Sequence, residues 1–159
     1  MEIWQKSLVD AIGDHGQLSR LALSSAYRSL YRVVRSDEDP KKGLVAKDPS
    51  AKKSVISHVN CGGRRGYKSQ FISTTMSSDA AKRYKAKAEK EGANGLQIVK
   101  IDLDALREGC KLKIVDLTIT ENRDKYLRNA VCKNVAKASE EVLLTCDVPI
   151  PCYLSLIHI

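Results

Sequence analysis

The chain has 159 residues, of which 43 % are hydrophobic, and a formal net charge of +8. This length suits one domain around one hydrophobic core, and no apolar run approaches the roughly 18 to 20 residues that span a bilayer. Residues 1–13 carry Glu2, Lys6 and Asp10 where a signal peptide has an uninterrupted apolar centre, so we expect a cytoplasmic monomer, or an effector delivered without a signal peptide, and no membrane partner.

The five cysteines are widely spaced and form no Cys-x-x-Cys pair. A structural zinc site needs closely spaced thiols, or a histidine at ligand spacing. We therefore expect free thiols in a reducing compartment and no metal.

The excess positive charge is concentrated in residues 41–68. This segment holds eight basic residues against Asp48 alone, which gives it a net charge of +7. A basic segment attracts polyanions such as a nucleic acid or a diphosphate-bearing cofactor. A solvated, loop-rich surface explains the same charge, and both interpretations stay open from the sequence.

The chain begins with a helical pattern and then changes to a strand. Apolar spacing predicts helices over residues 2–12 and 17–29. Leu30–Arg35 alternates as a strand, and Asp37–Pro40 ends it. Arg32 lies between two apolar residues on its own face of this strand. It is either a surface residue of an edge strand or an anion clamp in a cleft.

The centre of the chain brings hydroxyl groups to the end of a strand. Lys52–Val59 is a short helix or strand that contains His58, and a flexible basic loop follows it. Gln70–Thr75 reads as a strand, and Ser77–Asp79 as the N-cap of a helix over Ala80–Lys90. The three hydroxyls at the end of this strand suit a nucleotide-binding rim, and they also suit an ordinary strand-to-helix junction.

The remaining pattern favours an α+β fold. Short strands alternate irregularly with helices, unlike a doubly wound sheet. Strands are predicted at Leu96–Leu103, Lys111–Leu117, Glu141–Thr145 and within Val148–Ile159, and helices at Asp104–Glu108 and Asp124–Lys137. Residues 154–159 match the translation of a common sequencing-library adapter, and we expect them to derive from it.

Three segments in this order resemble the Arg, Ser-Thr-x and x-x-Glu motifs of ADP-ribosyltransferases of the cholera-toxin-like, or Arg-Ser-Glu, class. They are Leu30–Arg32, Phe71–Thr75 and Ser139–Leu144. The stretch His58–Thr75 is also similar to the pierisin and scabin-like branch, which modifies guanine bases. The resemblance implies a catalytic domain over residues 30–153 with a split two-sheet core that holds NAD in a cleft. Residues 1–29 are then a helical segment packed on this core.

The resemblance also implies roles for individual residues. Glu141 is the catalytic carboxylate, with Arg32 and Ser73 as the other catalytic residues, while the neighbouring Glu140 competes for the role of Glu141. The residues implied to contact NAD, a co-substrate, are Arg32, Tyr31, His58, Ser73, Thr74, Thr75 and Phe71. The residues implied to contact the acceptor are Ser139, Glu140, Arg64 and Arg65.

The chain departs from the family pattern at Ser139, two residues before Glu141. Arginine-modifying members have glutamate there and the guanine-modifying branch usually has glutamine. A serine cannot act as a base near neutral pH, which argues against arginine as the acceptor. With the basic segment, this favours a nucleic-acid base in DNA or RNA. A protein side chain as acceptor and an NAD glycohydrolase are alternatives, as are a non-catalytic nucleic-acid-binding module and an NAD-sensing or protein-interaction domain.

Overall fold

The computed structural model describes residues 29–64, 66–109, 111–146 and 154–157. The two predicted N-terminal helices and Arg65 lie outside these residues. The described strands form one six-stranded sheet of order β4-β5-β2-β1-β3-β6, and all of the strand pairings in it are antiparallel. The strands are β1 (Ser29–Val34), β2 (Ile72–Thr75), β3 (Gln97–Asp102), β4 (Lys113–Asp116), β5 (Glu141–Thr145) and β6 (Leu154–Ile157).

The connections between the strands are mostly helical. The described helices are α1 (Val55–Cys61), α2 (Ser78–Lys90), α3 (Leu103–Gly109), α4 (Thr120–Tyr126) and α5 (Ala130–Ala138), with a short 3-10 turn at Pro40–Lys42. The α+β class is therefore confirmed. The bounds predicted for β1 to β5 agree with the structure to within two residues.

Hydrogen-bonding side chains define where several helices begin. Ser54 accepts a hydrogen bond from Ser57 N at the start of α1, so the helical interpretation of Lys52–Val59 is correct. Ser77 accepts one from Ala80 N at the start of α2, as predicted. These caps fix the ends of the two helices that flank β2.

The single helix predicted over Asp124–Lys137 is wrong. The chain leaves the helical conformation at Leu127, whose backbone is extended and whose side chain is fully buried. Asn129 then caps a new helix, because its side chain accepts a hydrogen bond from Val131 N at 2.7 Å. Burying Leu127 in the core therefore outweighs the local helical pattern.

The sheet is nearly divided between β1 and β2. β1 pairs with β3 along its whole length but is registered with β2 only at Tyr31 and Thr75. Beyond this pair, no further residues of β1 and β2 are paired, so a split runs between the halves β4-β5-β2 and β1-β3-β6. The resemblance implied a split two-sheet core, and the described strands form one six-stranded sheet whose two halves are joined by this single pair.

Two hydrophobic clusters cover opposite faces of β5, because successive side chains of a strand point to opposite sides. Val142 and Leu144 join a cluster with Leu30, Val34 and other residues of the β1 half. Leu143 points the other way, toward side chains from α1 and α5. This second cluster holds α1 against β5, and α1 carries His58. The members of the second cluster are Val55, Leu117, Leu127, Cys132, Ala136 and Leu143.

Candidate active site

Ser73 and Glu141 meet on one face of the sheet. Thr75 lies directly opposite Glu141, and Ser73 lies two residues away on the same face of β2. This makes Ser73 and Glu141 a diagonal cross-strand pair, which lies within reach of polar side chains. Ser73 Oγ donates a hydrogen bond to Glu141 Oε1 at 3.1 Å. The register of β2 against β5 therefore sets the geometry of this pair.

Glu141, and not Glu140, contacts Ser73. Glu140 lies in the turn between α5 and β5, in the left-handed region with φ of 48°. Its carbonyl accepts a hydrogen bond from Met76 N. A non-glycine residue at positive φ carries backbone strain, and here that turn places Glu141 as the first residue of β5.

Arg32 spans the split between the two halves of the sheet. Its Nη1 donates to the carbonyl oxygen of Ser73 at 2.8 Å, and its Nη2 donates to Glu38 Oε1 at 2.5 Å. The guanidinium thus satisfies a β2 carbonyl where β1 has separated from β2. Arg32 is not on an edge strand, because β1 lies between β2 and β3. Of the two interpretations of Arg32, the edge-strand one is excluded.

His58 extends the cluster from Ser73 to α1. Its Nε2 lies 2.8 Å from Ser73 Oγ, and its Nδ1 lies 2.7 Å from Ser69 Oγ. The imidazole is buried, with 7 % of the residue exposed. Both ring nitrogens are therefore satisfied by serine hydroxyls.

The hydrogen bonds that link Ser69, His58, Ser73 and Glu141 all point in one direction, toward Glu141. Ser73 donates its hydroxyl proton to Glu141, so it accepts from His58 Nε2–H. His58 Nδ1 is then the acceptor for the Ser69 hydroxyl, which is free to accept from Phe71 N. Hydrogen bonds aligned in this way polarise one another toward the carboxylate. This arrangement stabilises the ionised form of Glu141.

The surroundings change the pKa values of both titratable groups. Burial and, to a smaller extent, the charges of Arg32 and Lys47 together lower the pKa of His58 from 6.5 to about 4. His58 is therefore neutral near pH 7 and holds the tautomer described above. Burial raises the pKa of Glu141, although the residue keeps partial surface exposure, and the hydrogen bond from Ser73 opposes this shift.

Close packing holds the His58 ring in place. The ring of Phe71 lies 5.3 Å from it, centre to centre, and the ring of Tyr67 lies 6.5 Å from it. On Gly62, a Cβ atom would lie 2.7 Å from His58 O and 3.1 Å from its Cε1 atom. A side chain at Gly62 would therefore displace His58. Phe71 therefore packs against the His58 ring and belongs to the surroundings of the cluster.

Tyr31 and Thr75 share the face of the sheet that carries Glu141. They form the pair that joins β1 to β2, and Thr75 is in turn opposite Glu141. Thr74 points to the other face, where it is buried and its hydroxyl donates to Val142 O at 2.7 Å. Tyr31 and Thr75 are thus brought near the cluster, whereas the side chain of Thr74 is not. NAD contacts by any of these residues stay a prediction.

The fold resembles that of EcPltA. This solved structure matches with a TM-score of 0.52 at 12 % sequence identity, and the match covers 84 % of this chain and 85 % of that chain. At such low identity, the match shows a distant relationship of fold alone. No protein-family model matches the chain, and no curated protein matches its sequence.

Among the described residues, no side-chain hydrogen bond or ion pair joins Ser139, Glu140 or Arg64 to the cluster. The Ser139 hydroxyl donates to Val135 O at the end of α5, and Glu140 lies in the turn described above. Arg64 is exposed in a turn after α1. Arg65 lies outside the described residues. The acceptor contacts predicted for these four residues stay a prediction.

The sequence interpretation missed Glu38 and Ser69. Glu38 pairs with Arg32, and Ser69 orients His58. The position of Glu38 in the turn that ends β1 was a signal that it could reach Arg32, because such a turn folds back beside its own strand. Nothing in the local pattern distinguished Ser69 from other loop serines.

The described residues contain no group of histidine, cysteine and acidic side chains placed to hold a metal ion. Cys61, Cys132 and Cys146 are free thiols, and the other two cysteines lie outside the described residues. Within the same part of the chain, no helix has the length and apolar character needed to cross a bilayer.

Proposed function

We propose that the protein is an NAD-dependent mono-ADP-ribosyltransferase. One observation carries the proposal: a guanidinium, a hydroxyl and a carboxylate from three different strands are joined through Ser73. Arg32 binds its carbonyl, and its hydroxyl binds Glu141. These residue types agree with the roles that the resemblance implies for Arg32, Ser73 and Glu141. The fold shared with EcPltA is consistent with this proposal.

The proposed reaction breaks the bond between nicotinamide and its ribose. The bonding electron pair leaves with nicotinamide, and positive charge develops on the sugar as in glycoside hydrolysis. The Glu141 carboxylate stabilises that charge and accepts a hydrogen bond from the ribose 2′-hydroxyl. The acceptor then bonds to the anomeric carbon and loses its proton. Preorganised groups that act on developing charge contribute about 10² to 10³ in rate.

Each further residue has a role that follows from its contacts. Ser73 fixes Glu141 and favours its ionised form, because its hydrogen bond lowers the pKa of that carboxyl. His58 is a positioning residue, because it acts on Glu141 through Ser73. Arg32 binds the phosphates or the adjacent ribose of NAD, for which a planar, bidentate guanidinium is well suited.

A base of DNA or RNA, with guanine preferred, is the proposed acceptor. All of the lysines and arginines in 41–68 that the structure describes are exposed. The backbone N and O atoms of Lys53 exchange hydrogen bonds with the side chain of Gln70, two residues before β2 begins. Gln70 lies three residues before Ser73. Positive charge is therefore held near the site, where it attracts a polyanion.

Transfer of label from NAD tests the proposal. The protein is incubated with NAD labelled in the adenylate phosphate, together with DNA, RNA or a protein mixture. We expect label on nucleic acid, lost in Glu141→Gln. Glu140→Gln, the matched charge change one residue away, is expected to keep cleaving NAD.

Other outcomes separate the alternatives. Label on protein alone would support a protein acceptor. Nicotinamide release without label on any acceptor would identify an NAD glycohydrolase. No cleavage of NAD, together with binding to DNA or RNA, would leave the non-catalytic nucleic-acid-binding module.

A further inference from the structure

Glu38 has no role in the proposed mechanism, yet it makes a short contact to Arg32. Its Oε1 accepts from Arg32 Nη2 at 2.5 Å, and its Oε2 accepts from Arg35 N at 3.1 Å. The side chain is 20 % exposed and that of Arg32 is 15 % exposed. The carboxylate therefore occupies an anion position on the guanidinium that also binds the Ser73 carbonyl of β2.

Arg32 is one of three cations in this region. Lys47 is exposed, and its pKa is lowered by partial burial and then by the charges of Arg35 and Arg32. Two carboxylates oppose them, since Asp37 Oδ1 lies 3.2 Å from Arg35 Nε and Glu38 lies on Arg32. Three cations against two carboxylates leave a net positive charge beside the Ser73 cluster.

The guanidinium donors are incompletely used. Within the part of the chain that the structure describes, the buried Nε atom of Arg32 has no hydrogen-bond partner, and the Nε atom of Arg35 has only its ion pairs with Asp37 and Glu38. A buried donor without a partner costs free energy that an added acceptor recovers. A diphosphate has several acceptor oxygens and more negative charge than one carboxylate, so it satisfies such donors better than Glu38 does.

We propose that Arg32 and Arg35, with Lys47 as an additional positive charge, form a diphosphate-binding site whose anion position is filled by the Glu38 carboxylate, which a diphosphate must displace. This inference rests on the proposed function, because it assigns the diphosphate of NAD to this site. Glu38 then acts as an internal competitor. It holds Arg32 in the split and weakens binding by the free energy of the contact that has to be broken.

Two diphosphate probes test this inference without any catalytic step. The dissociation constants of inorganic pyrophosphate and of ADP are measured by isothermal titration calorimetry at fixed ionic strength. In Glu38→Gln, the amide keeps an acceptor for Arg32 but has no charge. We expect binding about three- to tenfold tighter than in the wild-type protein.

Matched variants separate displacement from a general charge effect. Asp37→Asn makes the same charge change in the same turn, but the Asp37 side chain is 72 % exposed and contacts Arg35 alone among the ion pairs of the described residues. We expect less than about a twofold effect there, because solvent screens an exposed charge. Arg35→Gln and Lys47→Gln are expected to weaken binding several-fold each, and they keep the inference testable if Glu38→Gln does not fold.

Unchanged or weaker binding in a folded Glu38→Gln would overturn the inference and make Glu38 a positioning residue. An equal gain in Asp37→Asn, no loss in Arg35→Gln and Lys47→Gln, or no binding of either probe to any variant would overturn it too. Nicotinamide release is recorded separately in each variant. A protein that cleaves NAD but shows none of these binding shifts retains the proposed function and loses only this inference.

Discussion

Replacing Ser73 with alanine tests whether the cluster works as a unit. The Ser73→Ala variant removes the donor to Glu141 Oε1 and the acceptor for His58 Nε2, which lie 3.1 and 2.8 Å from the hydroxyl. His58 is buried, so its Nε2–H group is left without a partner. A buried polar group that loses its partner costs about 1 to 3 kcal/mol, and we expect a loss of that size in the free energy of unfolding.

Under the proposed mechanism, the same change is expected to alter the pH dependence of NAD cleavage. Burial raises the pKa of Glu141 and the Ser73 hydrogen bond lowers it. Without Ser73, the pKa of Glu141 therefore rises further. The proposed mechanism needs the ionised carboxylate, whose fraction falls as the pH drops through this pKa. The acid limb of the rate profile is expected to move to higher pH in Ser73→Ala.

The assay is nicotinamide release from NAD between pH 4 and 8, together with urea unfolding of each variant. Ser77→Ala is a suitable control, because it removes the cap on Ala80 N of α2 and costs about 1 kcal/mol without touching His58 or Glu141. Its acid limb is expected to stay in place. An unmoved acid limb in Ser73→Ala, or an equal shift in Ser77→Ala, would refute the coupling of Ser73 to Glu141.

Three further substitutions test other contacts of the cluster. Glu141→Gln is expected to reduce nicotinamide release by about 10² to 10³ while leaving the free energy of unfolding at pH 7.5 undiminished. Because the pKa of Glu141 is raised, ionising this residue opposes folding. The gain in the free energy of unfolding of Glu141→Gln over wild type should therefore shrink as the pH falls through that pKa. A variant less stable than wild type at pH 7.5 would contradict this reasoning. Burial and, to a smaller extent, nearby charges lower the pKa of His58 from 6.5 to about 4, so the wild-type protein is expected to lose about 1.5 kcal/mol of stability between pH 7 and 4 through this residue, after allowance for solvent screening. His58→Gln should be less stable at pH 7 but lack this part of the pH dependence. If the free energy of unfolding, measured with urea at each pH, changes equally with pH in both proteins, His58 is not the group responsible. Arg32→Lys is expected to raise the KM for NAD about tenfold, because one ammonium cannot bind Ser73 O and an anion side by side, and steady-state kinetics with an unchanged KM would exclude that role.

Local pattern was enough to predict most strands and the start of α2. β-branched and apolar runs bounded by turn residues define β1, β3 and β5, and Ser77 caps α2 as the sequence indicates. These features depend on neighbours within a few residues. The break at Leu127 does not, because it depends on a buried position created by α1 and β5.

The pairing of distant site residues came from the family resemblance, and its geometry came from the sheet register. No local signal states that Thr75 lies opposite Glu141, which places Ser73 on the diagonal. No local signal states either that β1 and β2 are joined by a single residue pair, which leaves the split that Arg32 spans. Glu38 was missed although its turn at the end of β1 gave a local signal, whereas Ser69 was missed because only the folded chain brings it to the His58 side chain.

The most direct test of the central claim is the rate of nicotinamide release from NAD by the wild-type protein and by Glu141→Gln, with folding of both checked by circular dichroism. If Arg32, Ser73 and Glu141 form one NAD-cleaving site, the wild-type protein releases nicotinamide and the folded variant loses about 10² to 10³ of that rate. Equal rates in the two proteins, or no release by a folded wild-type protein at any pH between 5 and 8, would contradict the account.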